Sequence, residues 1–280
     1  MTERKTRLDE ARGHYARMMA AASGSSDPRI ERAFEETPRE AFLPPGPWRI
    51  GGAGRIVVSP SDDPTYVYQN VLVALDPAKG INNGEPFLHA GWIGAVAPQP
   101  GEGVVHIGAG MGYYTAILAT LVQPNGTVTG FEIEPSLAES ARRNLQAFSN
   151  VTIVEADATD HPLEPCDIIY VNAGVVAPPV AWLEALREGG RLVFPWQPSE
   201  RIGIAMLVTR KGAGFAAKAV SPAWFIPCIG ASDRSVIRRS PTYDEAWRSR
   251  SVVPTSERAP DESATAVYDD LWFSRDPAGD

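Results

Sequence analysis

The sequence predicts an α/β fold built on a doubly wound, mostly parallel sheet. Between Gly101 and Pro195, short apolar runs alternate with stretches of helical periodicity, as an open parallel sheet requires. A glycine-rich turn follows the first of these runs, and acidic residues follow the next two. Because ligands bind such sheets at the carboxyl ends of the strands, this pattern also predicts a ligand site.

Two helices are predicted before the sheet. Apolar residues recur at helical spacing from Arg7 to Ala22, which indicates an amphipathic helix packed on the main domain, with a dimerisation arm as the alternative. A second, shorter helix is predicted to begin with Asp27 as its N-cap and Pro28 at its first position, and to end before Pro38.

The composition favours a small molecule or a peptide as partner. The chain has 280 residues, with 34 acidic and 26 basic side chains and a formal charge of −8, which repels the phosphate backbone of nucleic acids. Its two cysteines, Cys166 and Cys228, stand apart from any CxxC pair or histidine cluster, so neither a disulfide framework nor a metal site is predicted. We expect no signal peptide and no membrane span, and therefore a cytoplasmic protein.

The stretch GEGVVHIGAGMGYYTAILATLV carries the predicted ligand loop. Val104, Val105 and Ile107 form a buried strand, and the glycines at 108, 110 and 112 let the backbone turn tightly and approach a ligand. A dinucleotide fingerprint needs a small residue where Tyr113 stands, so NAD is disfavoured, and a Walker A phosphate loop is absent. The loop suits a methionine moiety and a ribose without a pyrophosphate.

Acidic and polar residues follow the next three strands. GTVTGFEIE ends near Glu132, which lies 24 residues after Gly108 (132 − 108) and is placed to accept hydrogen bonds from both hydroxyls of a ribose. Glu134 is the alternative for this role. NVTIVEADAT finishes at Asp157, which can accept from the exocyclic amine of an adenine, and CDIIYVNAG brings Asn172 to the same edge.

These segments resemble the successive motifs of class I S-adenosylmethionine-dependent methyltransferases, which have a Rossmann-like fold, and specifically those of the protein-L-isoaspartate O-methyltransferase family. The resemblance includes VVHIGAGMGYYTAILA, GFEIEPSLAESARRNL, NVTIVEADAT and LREGGRLVFPW. It extends to the Pro-Arg segment in IERAFEETPREAFLPP and to AVSPAWFIPCIG, and so runs from Arg29 to Gly230.

The resemblance implies S-adenosyl-L-methionine as cofactor. Gly108 and Gly110 are then expected to contact its methionine end, Glu132 its ribose and Asp157 its adenine. The full set of expected cofactor-binding residues is His106, Gly108, Ala109, Gly110, Gly112, Tyr113, Glu132, Ile133, Asp157, Ala158 and Asn172. His106 lies inside the buried strand, where a structural role is the alternative.

The chain is accordingly expected to comprise an N-terminal helical and acceptor-site segment at residues 1–100, an S-adenosylmethionine-binding core at 101–230 and a C-terminal extension at 231–280. The tail could cap the acceptor pocket through Trp272 and Phe273, or it could cover an apolar edge. The sequence leaves the oligomeric state open and favours a monomer.

The segment INNGEPFLHA departs from the family pattern. It aligns with the run that lines the family's acceptor site through Pro86, His89 and Ala90, which places the family serine on Gly84 and the threonine on Asn82. Glycine cannot donate the hydroxyl hydrogen bond that a serine offers to a carboxylate. Asn82 or Asn83 is hypothesised to supply an amide donor instead, so the candidate catalytic residues are Asn82, Asn83, Gly84 and His89.

The chemistry of the acceptor decides whether a base is needed. A carboxylate is already ionised at neutral pH, whereas an amine or hydroxyl acceptor would need a base, for which His89 and Glu85 are the nearby candidates. A packed, hydrogen-bonded structural role is the alternative for His89. Tyr66, Tyr68 and Gln69 either line the pocket or pack in the core.

The sequence is compatible with two classes of function. The first is methyl transfer to a carboxylate, in an isoaspartyl peptide or in a related peptide, protein or small molecule. The second is a noncatalytic platform that only binds the cofactor.

Overall fold

A computed structural model of the protein describes residues 2–52 and 55–279. The helices are α1 Thr2–Ala22, α2 Pro28–Glu36, α3 Pro86–Val96, α4 Tyr113–Leu121, α5 Pro135–Asn144, α6 Val180–Ala185 and α7 Tyr243–Arg248. The strands are β1 Arg49–Gly52, β2 Arg55–Val58, β3 Leu72–Asp76, β4 Ile81–Asn82, β5 Gly103–Ile107, β6 Thr127–Glu132, β7 Val151–Glu155, β8 Cys166–Val171, β9 Leu186–Ser199, β10 Ile202–Lys211, β11 Gly214–Pro222, β12 Ile237–Arg239, β13 Ser251–Pro254, β14 Ala264–Tyr268 and β15 Leu271–Ser274.

The chain divides into two units. The first unit comprises residues 1–101 and 109–155, and the second comprises residues 102–108 and 156–280. One boundary between them falls inside the glycine-rich turn, after Gly108. The predicted boundaries at residues 100 and 230 divide the chain by function, whereas the two units divide it by compactness. The functional division stays a prediction.

The first unit holds the N-terminal helices and a small antiparallel sheet. Helices α1 and α2 bury Tyr15 against Phe34, whose rings meet edge to face with centroids 6.1 Å apart. The sheet has the strand order β2-β1-β3-β4. Strands β6 and β7 form a parallel pair joined through α5, which is one of the predicted strand-helix-strand units.

Helix α2 begins as the sequence predicts. Asp27 is its N-cap, and the Oδ1 atom of Asp27 accepts a hydrogen bond from the Arg29 amide at 2.9 Å. The helix ends at Glu36, before Pro38. Hydrogen bonds from Arg29 lower the pKa of the Asp27 carboxyl.

Replacing Asp27 by alanine is expected to lower the free energy of unfolding by about 1 kcal/mol, because an amide at the helix start loses its acceptor. Urea denaturation at neutral pH measures this difference. Since the folded-state pKa of Asp27 is depressed, the contribution is present above the ordinary pKa and is lost as the pH falls through the folded-state value. Asp9→Ala, an exposed aspartate within α1, is the control, and an equal loss there would contradict the capping role.

The second unit carries a mixed sheet. Strand β8 pairs in parallel with β5 on one side and with β9 on the other. From β9 the order continues through β10, β11, β13, β15 and β14 to β12, and these neighbours are antiparallel. The sequence did not predict strands in the C-terminal segment.

The C-terminal segment is part of the core of this unit. Trp272 and Phe273 lie in β15 and are fully buried. The Phe273 ring stacks on Trp196 of β9 with centroids 4.1 Å apart, and the Trp196 indole donates to the Tyr268 hydroxyl at 2.9 Å. This packing matches the expectation that the tail covers an apolar edge. Within the part of the chain that the structure describes, no helix is long and apolar enough to cross a membrane.

Candidate functional site

The glycine-rich turn adopts backbone conformations that only glycine accepts readily. Gly108 has φ +76° and Gly110 has φ +57°, both in the left-handed region. Ala109, between them, donates its amide to the Phe131 carbonyl at 3.0 Å, which ties the turn to the end of β6. Helix α4 then begins at Tyr113, as predicted.

Glu132 closes β6 and its carboxylate lies against the turn. Its Oε2 accepts from the Gly110 amide at 2.7 Å, and its Oε1 accepts from the Glu134 amide at 3.0 Å. The Ile133 amide also donates to this carboxylate, and its acceptor positions that these backbone bonds leave open face a ligand that offers hydroxyl groups. Burial raises the pKa of Glu132 above its ordinary value, although the hydrogen bonds from the backbone partly oppose this.

The structure separates Glu132 from its sequence alternative. Glu134 is the N-cap residue of α5 and its carboxylate forms an ion pair with Lys79. Its side chain is therefore engaged on the protein surface, while Glu132 is 6% exposed and faces Gly110. This geometry favours Glu132 as the residue with the ligand role.

Asp157 lies two residues beyond the end of β7, in the second unit. Its Oδ1 accepts from the Thr159 amide at 2.9 Å and from the Thr159 hydroxyl at 2.8 Å, which holds the carboxylate in one orientation. Gly230 approaches this turn closely: a Cβ atom added there would lie 2.0 Å from the Thr159 Oγ1 and 2.8 Å from the Asp157 Oδ2. Only glycine fits this position, which sequence reasoning had noted merely as the end of a motif.

The buried His106 pairs with the partly buried Asn172 in the second unit. The Asn172 Nδ2 lies 2.8 Å from His106 Nε2. Burial lowers the pKa of His106 to about 3, so its ring is neutral, and with the Asn172 amide in this orientation the Nε2 atom accepts the bond. The Asn172 Oδ1 atom is also buried and has no hydrogen-bond partner among the described residues. His106 thus positions Asn172 and leaves an acceptor for a ligand donor.

Three other predicted cofactor residues differ in their surroundings. Tyr113 is buried, with its ring packed against Phe42 and its hydroxyl 3.4 Å from the Tyr15 hydroxyl, so its aromatic side chain serves the core. Ile133 is partly exposed directly after Glu132. The carbonyl of Ala158 accepts from the Trp182 indole at 3.1 Å, which anchors the residue after Asp157.

The segment predicted to meet the acceptor follows β4 in the first unit. Asn82 is exposed, and its Oδ1 accepts from the Gly84 amide at 2.9 Å. Asn83 is buried, and its Oδ1 accepts from the Val73 amide at 2.9 Å. The Asn83 Nδ2 has no hydrogen-bond partner among the described residues.

Arg39 holds this segment, and sequence reasoning assigned it no role. It is fully buried, and its guanidinium donates to the backbone carbonyls of Gln69 and Val71 and, at 3.2 Å, to the Asn83 Oδ1. A buried charge needs hydrogen-bond acceptors of this kind, so Arg39 fixes the loop before β3 together with Asn83. In the sequence, the feature that pointed to Arg39 was its place in the Pro-Arg segment.

Gly84 and His89 are in direct contact. Gly84 has φ +76°, and a Cβ atom added to it would lie 2.2 Å from the His89 Nε2. His89 lies in α3, is fully buried and stacks on the Tyr114 ring with centroids 3.8 Å apart. A serine side chain has no room at position 84 in this arrangement.

Of the remaining candidates near this segment, some line a cavity and one packs in the core. Tyr66 and Gln69 line a surface cavity beside β2. Tyr68 is buried and packs on Tyr15, and its hydroxyl accepts from the Arg12 Nε at 2.9 Å. The Glu85 carboxylate accepts from the Asn70 side chain at 2.6 Å.

Comparison with known proteins identifies the family. The family model described as protein-L-isoaspartate(D-aspartate) O-methyltransferase matches residues 55–233. A curated protein-L-isoaspartate O-methyltransferase of Methanoregula boonei is 32% identical over 82% of this chain and 97% of its own length. One of Rhodopseudomonas palustris is 31% identical over 75% of this chain and 89% of its own.

Solved structures agree on the fold. A structure of a protein-L-isoaspartate O-methyltransferase covers 95% of this chain and 88% of its own, with a TM-score of 0.67 and 24% identity. A second one, a Plasmodium falciparum protein in complex with S-adenosyl-L-homocysteine, covers 78% and 97% with a TM-score of 0.62 and 17% identity. The predicted α/β methyltransferase fold is confirmed. The chain belongs to the protein-L-isoaspartate(D-aspartate) O-methyltransferase family of S-adenosylmethionine-dependent methyltransferases.

Proposed function

We propose that this protein transfers a methyl group from S-adenosylmethionine to a carboxylate of a peptide or protein, with an isoaspartyl residue as the first acceptor to test. The observation that carries the proposal is the buried Glu132 carboxylate, which is held by the Gly110 amide inside a glycine turn. The names of the relatives in the same family support the choice of acceptor.

The residues present suit this cofactor. Gly108 and Gly110 would admit its methionine end, and the Glu132 carboxylate would accept hydrogen bonds from the two ribose hydroxyls. Asp157 would accept from the adenine amine through Oδ2, since its Oδ1 is taken by Thr159. The unpartnered Asn172 Oδ1 supports the assignment, because a buried acceptor of this kind fits a ligand donor.

S-adenosylmethionine supplies an activated methyl group on a sulfonium. The acceptor carboxylate is ionised at neutral pH, so the protein needs no general base for the transfer. Its own residues have to align the carboxylate and exclude water. We therefore assign His89, which is buried beneath Gly84, a packing role rather than proton transfer.

The acceptor segment would use amides where the family pattern has a hydroxyl. Asn83 is oriented by the Val73 amide and by Arg39, and its Nδ2 is a donor without a partner among the described residues. Asn82 is the exposed alternative. A carboxylate accepts hydrogen bonds readily from such amide groups.

The first experiment is calorimetric titration with S-adenosylmethionine and S-adenosylhomocysteine, followed by a methanol-release assay on an isoaspartyl peptide and its aspartyl twin. We expect binding of both nucleosides and methanol only from the isoaspartyl peptide. Binding of the nucleosides without methanol release would mean that the acceptor is another carboxylate or another class of group. If neither nucleoside binds, the methyltransferase proposal is wrong.

The affinity for S-adenosylhomocysteine is expected to weaken as the pH falls, and to do so at a higher pH than the protonation of an ordinary glutamate would cause. Burial raises the pKa of Glu132 above 4.5, and the protonated group accepts fewer hydrogen bonds from a ribose. The sign for folding is opposite: the ionised carboxylate costs stability at neutral pH, and protonation relieves this cost as the pH falls through the folded-state pKa. Calorimetric titrations from neutral pH down to the ordinary pKa of a glutamate, about 4.3, measure the affinity. An affinity that stays constant over this whole range would contradict the role of Glu132.

The setting of the reaction is proposed to be the cytoplasm. Cys166 and Cys228 are both buried free thiols, which suits a reducing compartment. Detection of the tagged full-length protein in cell fractions would test this.

A further inference from the structure

Strand β2 is an exposed apolar edge strand. It stands at one end of the four-stranded sheet, and among the described strands it pairs with β1 alone. The side chains of Ile56, Val57 and Val58 are 67%, 60% and 61% exposed. Natural proteins usually protect such an edge, because its free backbone groups pair readily with another extended chain.

The backbone groups that face outward can be identified from the register. The Ser59 amide donates to the Trp48 carbonyl at 2.9 Å, and the register of the hairpin continues through Val57 opposite Ile50. Because inward and outward pairs alternate in an antiparallel ladder, the amide and carbonyl groups of Ile56 and Val58 point away from β1. These two residues can therefore form a ladder with an added strand.

A cavity of about 270 Å³ adjoins this strand. Val57, Tyr66 and Gln69 are among its lining residues, and Arg55 is the one charged side chain among the described residues that line it. The cavity thus combines apolar walls with a single cation. A guanidinium in such a place prefers a carboxylate group.

We propose that β2 docks an extended, acidic segment of the polypeptide acceptor, which adds to the sheet as a further strand and places an acidic side chain beside Arg55. The inference rests on the proposed function and names the peptide chemistry that the protein selects. Main-chain pairing supplies affinity in this mode of recognition, and side-chain pockets supply specificity.

The same sheet connects the docking edge with the acceptor segment. Strand β4, at the opposite end of the order β2-β1-β3-β4, leads directly into Asn83 and Gly84. Three strand spacings of about 4.8 Å separate the two edges by about 14 Å. An extended chain covers this distance in roughly four residues, so the docking segment is expected at least that far from the methylated residue.

The test uses fluorescently labelled peptides with one isoaspartyl residue and, beyond a spacer of about five residues, a run of alternating valine and aspartate. Matched peptides carry asparagine in place of the aspartates, or N-methyl groups on alternate residues of the run. Fluorescence anisotropy measures their binding to the full-length protein. We expect the acidic peptide to bind tightest and N-methylation to weaken it roughly tenfold.

Three variants assign the effect to the strand. Arg55→Glu is expected to weaken binding of the acidic peptide about fivefold and to remove its advantage over the asparagine peptide. Arg49→Glu is the matched control: it reverses an exposed charge in the same hairpin but at a residue outside the cavity lining, and its effect should be smaller. Ile56→Pro removes an outward amide and should mimic N-methylation. Binding of S-adenosylhomocysteine verifies that each variant is folded.

The outcomes separate the docking site from the methyl-transfer reaction. Equal effects of Arg55→Glu and Arg49→Glu, together with no effect of N-methylation, would overturn the docking proposal even if methylation proceeds. If peptide binding depends on Arg55 but no methanol is released, the docking site is retained and the proposed acceptor is rejected. A dimer that dissociates on Ile56→Pro in sedimentation experiments would assign the edge to a second copy of the chain, and so would overturn the proposal.

Discussion

Replacing Glu132 by alanine is expected to abolish measurable binding of S-adenosylhomocysteine. The buried carboxylate accepts from the Gly110 amide and is proposed to accept from both ribose hydroxyls. Hydrogen bonds to a charged group contribute about 1.5 kcal/mol or more each, so losing two of them costs about 3 kcal/mol, which is more than a hundredfold in affinity. Calorimetric titration at neutral pH measures the loss, and circular dichroism verifies the fold.

Glu134→Gln is the control for this prediction. Glu134 stands two residues away, is also acidic and was the alternative from sequence, but its carboxylate pairs with Lys79 on the surface. We expect its affinity to stay within about threefold of wild type, because exposed ion pairs contribute little. A large loss in Glu134→Gln with near-normal binding in Glu132→Ala would reverse the assignment.

The glycine turn and the last residue of β6 were predictable because their signals are local in sequence. The pattern from Val104 to Tyr113 predicts a strand, a turn and a helix, and β5 and α4 confirm it. Position along the strand also favoured Glu132 over Glu134, and its burial agrees with that preference. In each case the signal in the sequence lies within a few residues of the position that it predicts.

Other features depend on contacts between distant parts of the chain. Arg39 reaches Asn83, which is 44 residues away, and a single sequence carries no signal for that hydrogen bond. Strands β1 and β2 were not predicted, because an exposed hairpin buries too little apolar surface to show an alternating pattern. The close approach of Gly84 to His89 likewise depends on how the loop after β4 folds back on α3.

Replacing Gly84 by serine, the residue type of the family pattern, is expected to destabilise the protein by roughly 3 kcal/mol without increasing its activity. The backbone at φ +76° strains any side chain, and the new Cβ would lie 2.2 Å from the His89 Nε2. Because the stacked Tyr114 ring holds His89 in place, the histidine cannot move aside cheaply. Urea denaturation measures the stability, and the methanol-release assay measures the activity on the isoaspartyl peptide.

Two further variants separate backbone strain from the clash. Gly80, just before β4, has φ +69° but open space around its position, so Gly80→Ser reports strain alone and should cost about 1 kcal/mol. In a His89→Ala background, Gly84→Ser should cost no more than Gly80→Ser does in the wild type, because the clashing ring is absent. This coupling would show that the His89 ring is what excludes a side chain at position 84, and that the acceptor segment differs from the family pattern in shape as well as in a hydroxyl. A Gly84→Ser protein as stable as wild type, with increased methanol release, would instead mean that the segment rearranges to accept the serine.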